Sequence, residues 1–239
     1  MNVLITGASR GVGRAIANRL ARPGGRVIVN YVRSEEAAQE VAREVEAKGA
    51  EALVIQGDVR DPKDLERLAA ALPSLDALIH NAAIGVLKPY DKIRTNQWDL
   101  TMESSVRPFW LLTKLCADRL TPGASVIGLS SLGSRSYVPG YAAMGAAKAA
   151  MEALTRQLAV ELAPKKIRVN TVCGGLVDTD ALNYFPDKAR IIETAQAITP
   201  FGRLGTADDL AAVVELLLMP QASWITGQVI VADGGMSLV

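Results

Sequence analysis

The segment Thr6-Gly7-Ala8-Ser9-Arg10-Gly11-Val12-Gly13 has the make-up of a phosphate cradle. Glycine lets the backbone turn sharply and approach a bulky anion. A helix starting directly afterwards, near Arg14, aims unpaired N–H groups and a partial positive charge at the same point. Strand, glycine loop and helix in that order form a dinucleotide pyrophosphate site, here spaced G-x3-G-x-G rather than the generic G-x-G-x-x-G. A site for NAD would place a carboxylate about 20 residues on, at the end of the second strand. The chain there reads Val29-Asn30-Tyr31-Val32-Arg33-Ser34, with no acid before Glu35. Arg10 and Arg33 instead offer two guanidinium groups to a 2′-phosphate, each charge-assisted hydrogen bond contributing about 1.5–3 kcal/mol. NADPH is therefore the expected cofactor, and NADH the weaker alternative.

Such a loop needs a sheet behind it. Strand candidates are Val3–Thr6, Arg26–Asn30, Ala52–Gln56, Asp76–His80, Ser125–Leu129, Ile167–Val172 and Val229–Val231. Several are apolar on consecutive residues, as strands covered on both faces are. Helical patterns lie between them. Ser34–Lys48 has Ser34 as a cap, with Glu36, Glu40 and Glu44 facing outward. Asp61-Pro62 reads as a cap followed by proline, opening a helix over Lys63–Leu72. This alternation predicts α/β architecture: a single-domain, Rossmann-type, doubly wound parallel sheet of about seven strands with helices on both faces. One stretch breaks the rhythm. Residues 178–203 carry Tyr184, Phe185, Ile191, Ile192 and Ile198, with Pro186 and Pro200 bracketing a short helix. An insertion beyond the carboxyl ends of the strands is expected to be a substrate lid, against the alternative of a helix packed permanently on the body.

Composition narrows the classes of function. The 239 residues carry 26 basic and 25 acidic side chains, a formal charge of +1, which argues against a general binder of nucleic acid or membrane surface. Cys116 and Cys173 lie far apart and His80 is the single histidine, so neither a zinc site nor a disulfide framework is expected. Free thiols and an opening strand in place of a charged leader point to a cytoplasmic protein. The uncharged stretch from Leu216 to Ala232 is broken by Pro220 and Gly227 and does not read as a membrane span.

Taken together, TGASRGVG (6–13), GDV (57–59), HNAA (80–83), SSLGS (130–134), Lys148 in a helix and TGQVIVADGG (226–235) resemble the short-chain dehydrogenase/reductase family over nearly the whole chain. The resemblance implies that Gly7, Ser9, Arg10, Gly11, Val12 and Gly13 form the cofactor loop. It further implies that Asp58 and Val59 lie beside the adenine, Asn81 and Ala82 beside the ribose and nicotinamide side, and Lys148 on the nicotinamide ribose. Ser131 would support the substrate carbonyl, and His80 reads as a strand-end packing residue. Most members place a tyrosine four residues before the lysine, where this chain has Met144. Tyr141 stands seven before Lys148 instead, a spacing similar to the enoyl-acyl-carrier-protein reductases. NAAIGVLKP (81–89), SSLGSRSYVPGY (130–141), CGGLVDTDALNYFP (173–186) and Gly174 resemble the type III, NADPH-dependent members of that group. Ser105 replaces an asparagine that in many relatives helps water reach the lysine.

The chemistry is consistent with that likeness. Reducing an enoyl thioester sends hydride to the β-carbon and builds negative charge on the carbonyl oxygen, so a hydroxyl aimed at the developing enolate stabilises the transition state. A neighbouring ammonium such as Lys148 would strengthen the Tyr141 phenol as an acid. Tyr137 is a candidate second hydroxyl near the thioester, and Tyr184 and Phe185 are candidate covers for the acyl chain. The expected activity is NADPH-dependent reduction of enoyl-acyl-carrier-protein thioesters in fatty-acid synthesis. Lys88, Arg94 and Arg107 are candidate contacts for an acidic carrier. Alternatives are 3-oxoacyl or other carbonyl reduction, and an NADPH-binding sensor without catalysis. Gln97–Leu120 and Ala142–Leu162 look suited to an isologous interface in a homodimer or homotetramer, with Ala146, Ala147, Ala149 and Ala150 allowing close approach.

Overall fold

Seven aliphatic runs form one parallel sheet in the order β3-β2-β1-β4-β5-β6-β7. In the computed structural model, which describes residues 1–184 and 187–239, these strands are β1 (Asn2–Ile5), β2 (Arg26–Tyr31), β3 (Glu51–Gln56), β4 (Leu75–His80), β5 (Leu120–Ser131), β6 (Arg168–Gly174) and β7 (Val229–Ala232). The helices are α1 (Gly11–Leu20), α2 (Glu35–Glu46), α3 (Pro62–Ala70), α4 (Thr95–Cys116), α5 (Ala142–Leu162), α6 (Lys188–Ile198) and α7 (Ala207–Leu218). Successive strand residues point to opposite faces, so the inner strands feed two cores. Val3, Ile5, Val27, Val29 and Ile79 pack against α1, α2 and α7. Leu4, Ile28, Leu78, Val126 and Val169 pack against α3, α4 and α5. Burial on both faces is why the strands read as continuous apolar runs. This is the doubly wound Rossmann arrangement, with the strand order reversing between β1 and β4 and a crevice at their carboxyl ends.

Local signals met tertiary competition at a few points. Asp61 caps α3 through a 2.9 Å hydrogen bond accepted from the Lys63 N–H, with Pro62 in the first turn. Ser34 precedes α2, but its hydroxyl caps nothing. Glu40 and Glu44 do not simply face solvent, because both pair with Arg14 on α1. The predicted helix over 97–120 ends at Cys116, and Leu120 instead opens β5 by pairing with Leu75. Within 178–203, α6 covers a small core of Leu182, Ala195 and Leu204, completed by Leu176, Ile192 and Met236. That core is separate from the two on the faces of the sheet. No helix among the described residues is long and apolar enough to cross a membrane.

Candidate active site

The glycine loop packs so closely on its own neighbours that side chains are excluded. Gly7 and Gly11 have φ of 63° and 55°, in the left-handed region where a side chain is strained. A Cβ on Gly13 would fall 2.6 Å from the Asn81 Nδ2 and closer still to the Gly7 carbonyl. Asn81 donates from Nδ2 to the carbonyls of Thr6 and Gly7, each at 3.0 Å, while the Thr6 hydroxyl accepts the Asn81 and Ala82 N–H groups at 3.1 Å. Asn30 holds the other side, its Oδ1 accepting the Gly7 N–H at 3.3 Å and its carbonyl the Ala8 N–H at 2.9 Å. Asn30 escaped the sequence reading, although a buried asparagine ending an aliphatic strand is a signal. No side chain caps α1 and its first turn holds no acid, so its N–H groups and positive dipole end remain for an anion. These features fit a dinucleotide pyrophosphate.

Arg10 and Arg33 are both exposed at this end of the sheet. The Asp58 carboxylate binds Arg60 through Nε and Nη2, and with the Arg33 charge nearby it is held below the ordinary carboxylate range, Arg60 being the main cause. The Val59 side chain is buried with Leu65 and Leu68, which leaves only its backbone for the adenosine end.

Tyr141, the residue that precedes α5, meets Ser131 at the end of β5, hydroxyl to hydroxyl, at 2.9 Å. Desolvation pushes the phenol above its ordinary value and the hydrogen bond with Ser131 opposes the shift, so the acid-strengthening expected from Lys148 is outweighed by burial. Lys148 lies two turns along the same helix, buried, its Nζ donating to the Leu129 carbonyl at 2.7 Å. Burial lowers its pKa to about 8. Three of the groups singled out in the sequence are thus brought to the mouth of β5 and the first turns of α5. Met144 is buried over Gly85, its thioether filling the space a Cβ there would take.

The remaining candidates divide. Tyr137 is 89% exposed, and no hydrogen bond among the described residues joins it to the Ser131–Tyr141 pair. Tyr184 closes a 3-10 turn, Asp180–Tyr184, and Phe185 lies outside the described residues. Ser105 is buried, and its hydroxyl has no partner among the described residues. Gly174 has its Cβ position 2.9 Å from a Leu210 methyl, so that strand end carries no side chain. His80 is a packing residue, edge-on to Phe109 with ring centroids 5.0 Å apart, and burial depresses its pKa to about 3. Arg107 is occupied by Glu103 and by the Arg60 carbonyl, whereas Arg94 is exposed. The sequence reading missed Glu152, whose buried carboxylate accepts from Ser130, Ser134 and Arg135 directly behind Ser131. Its position one turn beyond Lys148, on the buried face of α5, was the available signal.

Comparisons with known proteins agree with this geometry. The family profile described as Enoyl-(Acyl carrier protein) reductase matches residues 7–237. The chain is 37% identical over 246 residues to the 1-cyclohexenylcarbonyl-CoA reductase of Streptomyces collinus, covering 99% of this chain and 86% of that one. Among solved structures it is similar to the angucycline C-6 ketoreductase LanV with bound NADP, at TM-score 0.93 and 30% identity over 100% of this chain and 96% of that one. It is also similar to a short-chain dehydrogenase from Burkholderia cenocepacia J2315 in complex with NADP, at TM-score 0.90 and 34% identity over 98% and 97% of the two chains. With a glycine cradle for the dinucleotide and a serine, tyrosine and lysine gathered beside it, the chain is an NAD(P)-dependent oxidoreductase of the short-chain dehydrogenase/reductase family.

Proposed function

We propose that the protein is an NADPH-dependent reductase of α,β-unsaturated acyl thioesters. The observation that carries this reading is the pairing of Tyr141, not residue 144, with Ser131: the phenol stands seven residues before Lys148, and a thioether fills the position four before it. The exposed Arg10 and Arg33 and the missing acid at the end of β2 favour the 2′-phosphorylated cofactor, which the two structural relatives named above also hold.

The bound cofactor supplies the hydride. Gly7, Gly11, Gly13 and the open end of α1 would hold its pyrophosphate, and the Asn81 amide fixes the loop through the Thr6 and Gly7 carbonyls. Lys148 is held by the Leu129 carbonyl with two ammonium protons to spare, seven residues after Tyr141. Tyr141 donates to the thioester oxygen as negative charge builds there, and Ser131 fixes the direction of the phenol O–H. Because the carbonyl oxygen of an enoyl thioester lies farther from the carbon that receives hydride than a ketone oxygen does, a donor placed upstream suits it. The Asp180–Tyr184 turn and α6 cover the acyl chain. In this reading an acyl carrier protein or coenzyme A presents the substrate, Arg94 and Lys88 lie at the mouth, and two or more copies associate through α4 and α5.

A second reading is reduction of a 3-oxoacyl or other carbonyl substrate. The solved relative named as a ketoreductase favours it, and the names of the relatives lean that way more than toward enoyl reduction. NADPH oxidation with crotonoyl thioester against acetoacetyl thioester separates the two. Faster turnover of the crotonoyl substrate is expected, and faster acetoacetyl turnover replaces the first reading by the second. Tight NADPH binding with turnover of neither would move the substrate to a carbonyl compound other than a 3-oxoacyl thioester.

A further inference from the structure

A carboxylate buried beneath an oxidoreductase site is costly unless it is fully engaged. Glu152 is engaged on both oxygens. Its Oε1 accepts the Ser130 hydroxyl at 2.8 Å and the Ser134 hydroxyl at 2.6 Å, and its Oε2 accepts from Arg135 at 3.0 Å. The Glu152 side chain is 9% exposed, while Arg135 reaches it from a side chain 41% exposed. These three partners flank Ser131. Ser130 precedes it in β5, and Ser134 and Arg135 follow it around the 3-10 turn Leu132–Ser134. One carboxylate on α5 therefore ties down the chain on either side of the serine that meets Tyr141.

The turn itself is wedged into the site. A Cβ on Gly133 would lie 2.5 Å from Cε1 of the Tyr141 ring, and a Cβ on Gly145 would lie 2.5 Å from the Gly133 carbonyl oxygen. With no side chain at either glycine, the backbone of the turn packs directly on the phenol ring and on α5, so a displacement of the turn is expected to move ring and serine together. We infer that Glu152 is a positioning residue for the Ser131–Tyr141 hydroxyl pair, acting through Ser130 and the Ser134–Arg135 turn rather than by touching substrate or cofactor. This rests on the reading of Tyr141 as the donor to the substrate oxygen. It does not depend on whether that substrate is an enoyl or a keto thioester.

The test is a double-mutant cycle between Glu152→Ala and Ser131→Ala, measured at saturating NADPH on whichever of the crotonoyl and acetoacetyl thioesters the parent turns over faster. Glu152→Ala is expected to lower kcat roughly 10- to 100-fold, the scale set by misplacing a reacting group by about 1 Å, and to leave the KM for NADPH within about twofold. In the Ser131→Ala background the same change is expected to cost less than about threefold, since the residue it acts through is gone. Glu152→Gln, which keeps an acceptor for both serines, should recover most of the loss. Ser134→Ala removes one arm without touching α5, and carries the same cycle if Glu152→Ala does not fold. Costs that simply multiply in the double variant would overturn the inference, because a general structural role lowers stability without coupling to Ser131. Tyr141→Phe with the parent's rate would remove the donor reading and this inference with it. Tyr141→Phe without activity but a multiplicative cycle would remove the inference alone.

Discussion

The thioether of Met144 lies across Gly85, filling the volume that a side chain at residue 85 would need. This thioether stands four residues before Lys148, while the hydroxyl that meets Ser131 is that of Tyr141. Gly85→Ala should therefore destabilise the protein by about 1–3 kcal/mol, the range for forcing an extra carbon into a packed contact. Adding Met144→Ala should return most of that loss in urea denaturation, since the clash is with this one flexible side chain.

Tyr141→Phe is expected to lower kcat roughly 10²- to 10³-fold, the usual cost of removing one donor to a developing oxyanion. NADPH affinity by fluorescence titration should stay within about twofold, because the cofactor loop lies on other elements.

Gly13→Ala should abolish cofactor binding while the chain still folds, as the added methyl meets the Asn81 amide and the Gly7 carbonyl at the tightest point of the cradle. Arg33→Ala should keep NADH binding and cut the preference for NADPH by roughly 10- to 150-fold, the value of one charge-assisted contact to phosphate. An unchanged ratio of the two dissociation constants would remove Arg33 from the site.

His80 sets an acid limit to stability. Its folded pKa, depressed by burial to about 3, lies below the unfolded value near 6.5. Between these values the unfolded chain binds the extra proton, so stability falls as pH falls from 6.5 toward 3. The contribution to the slope approaches about 1.4 kcal/mol per pH unit at full protonation of the unfolded form. His80→Gln should show a lower starting stability and a flatter profile between pH 6.5 and 4 in chemical denaturation.

The outer face of α4 and α5 carries Met102, Val106, Trp110 and Leu154 around one shallow apolar groove, with Trp110 43% exposed. We expect this face to be covered by a second copy. Trp110→Glu should shift the protein to monomer at micromolar concentration in light scattering, and a parent that is already monomeric would refute the assignment. Ala147, read from the sequence as an approach point for a neighbour, is fully buried within the chain and is unavailable for that contact.

The order of strands and helices, the cradle around Gly7 and Gly13, and the Asp61-Pro62 cap were legible in the sequence because each rests on local chemistry: backbone torsion, side-chain period and capping geometry. The helix expected over 97–120 stops at Cys116 because pairing of Leu120 with Leu75, 45 positions away, outweighs local helical preference. Ser34 precedes α2 without capping it for a similar reason, since a good capping residue caps only if its rotamer and neighbours allow it. Spacing alone put Tyr141 and Lys148 on one stretch of chain. Only the packed fold decided that Ser131 would meet that phenol at 2.9 Å, and that Glu152 would clamp the strand and turn around it. Contacts between β5 and α5 depend on the register of the sheet and the wedge of Gly133 against Gly145, and those are properties of three-dimensional packing that no stretch of sequence contains by itself.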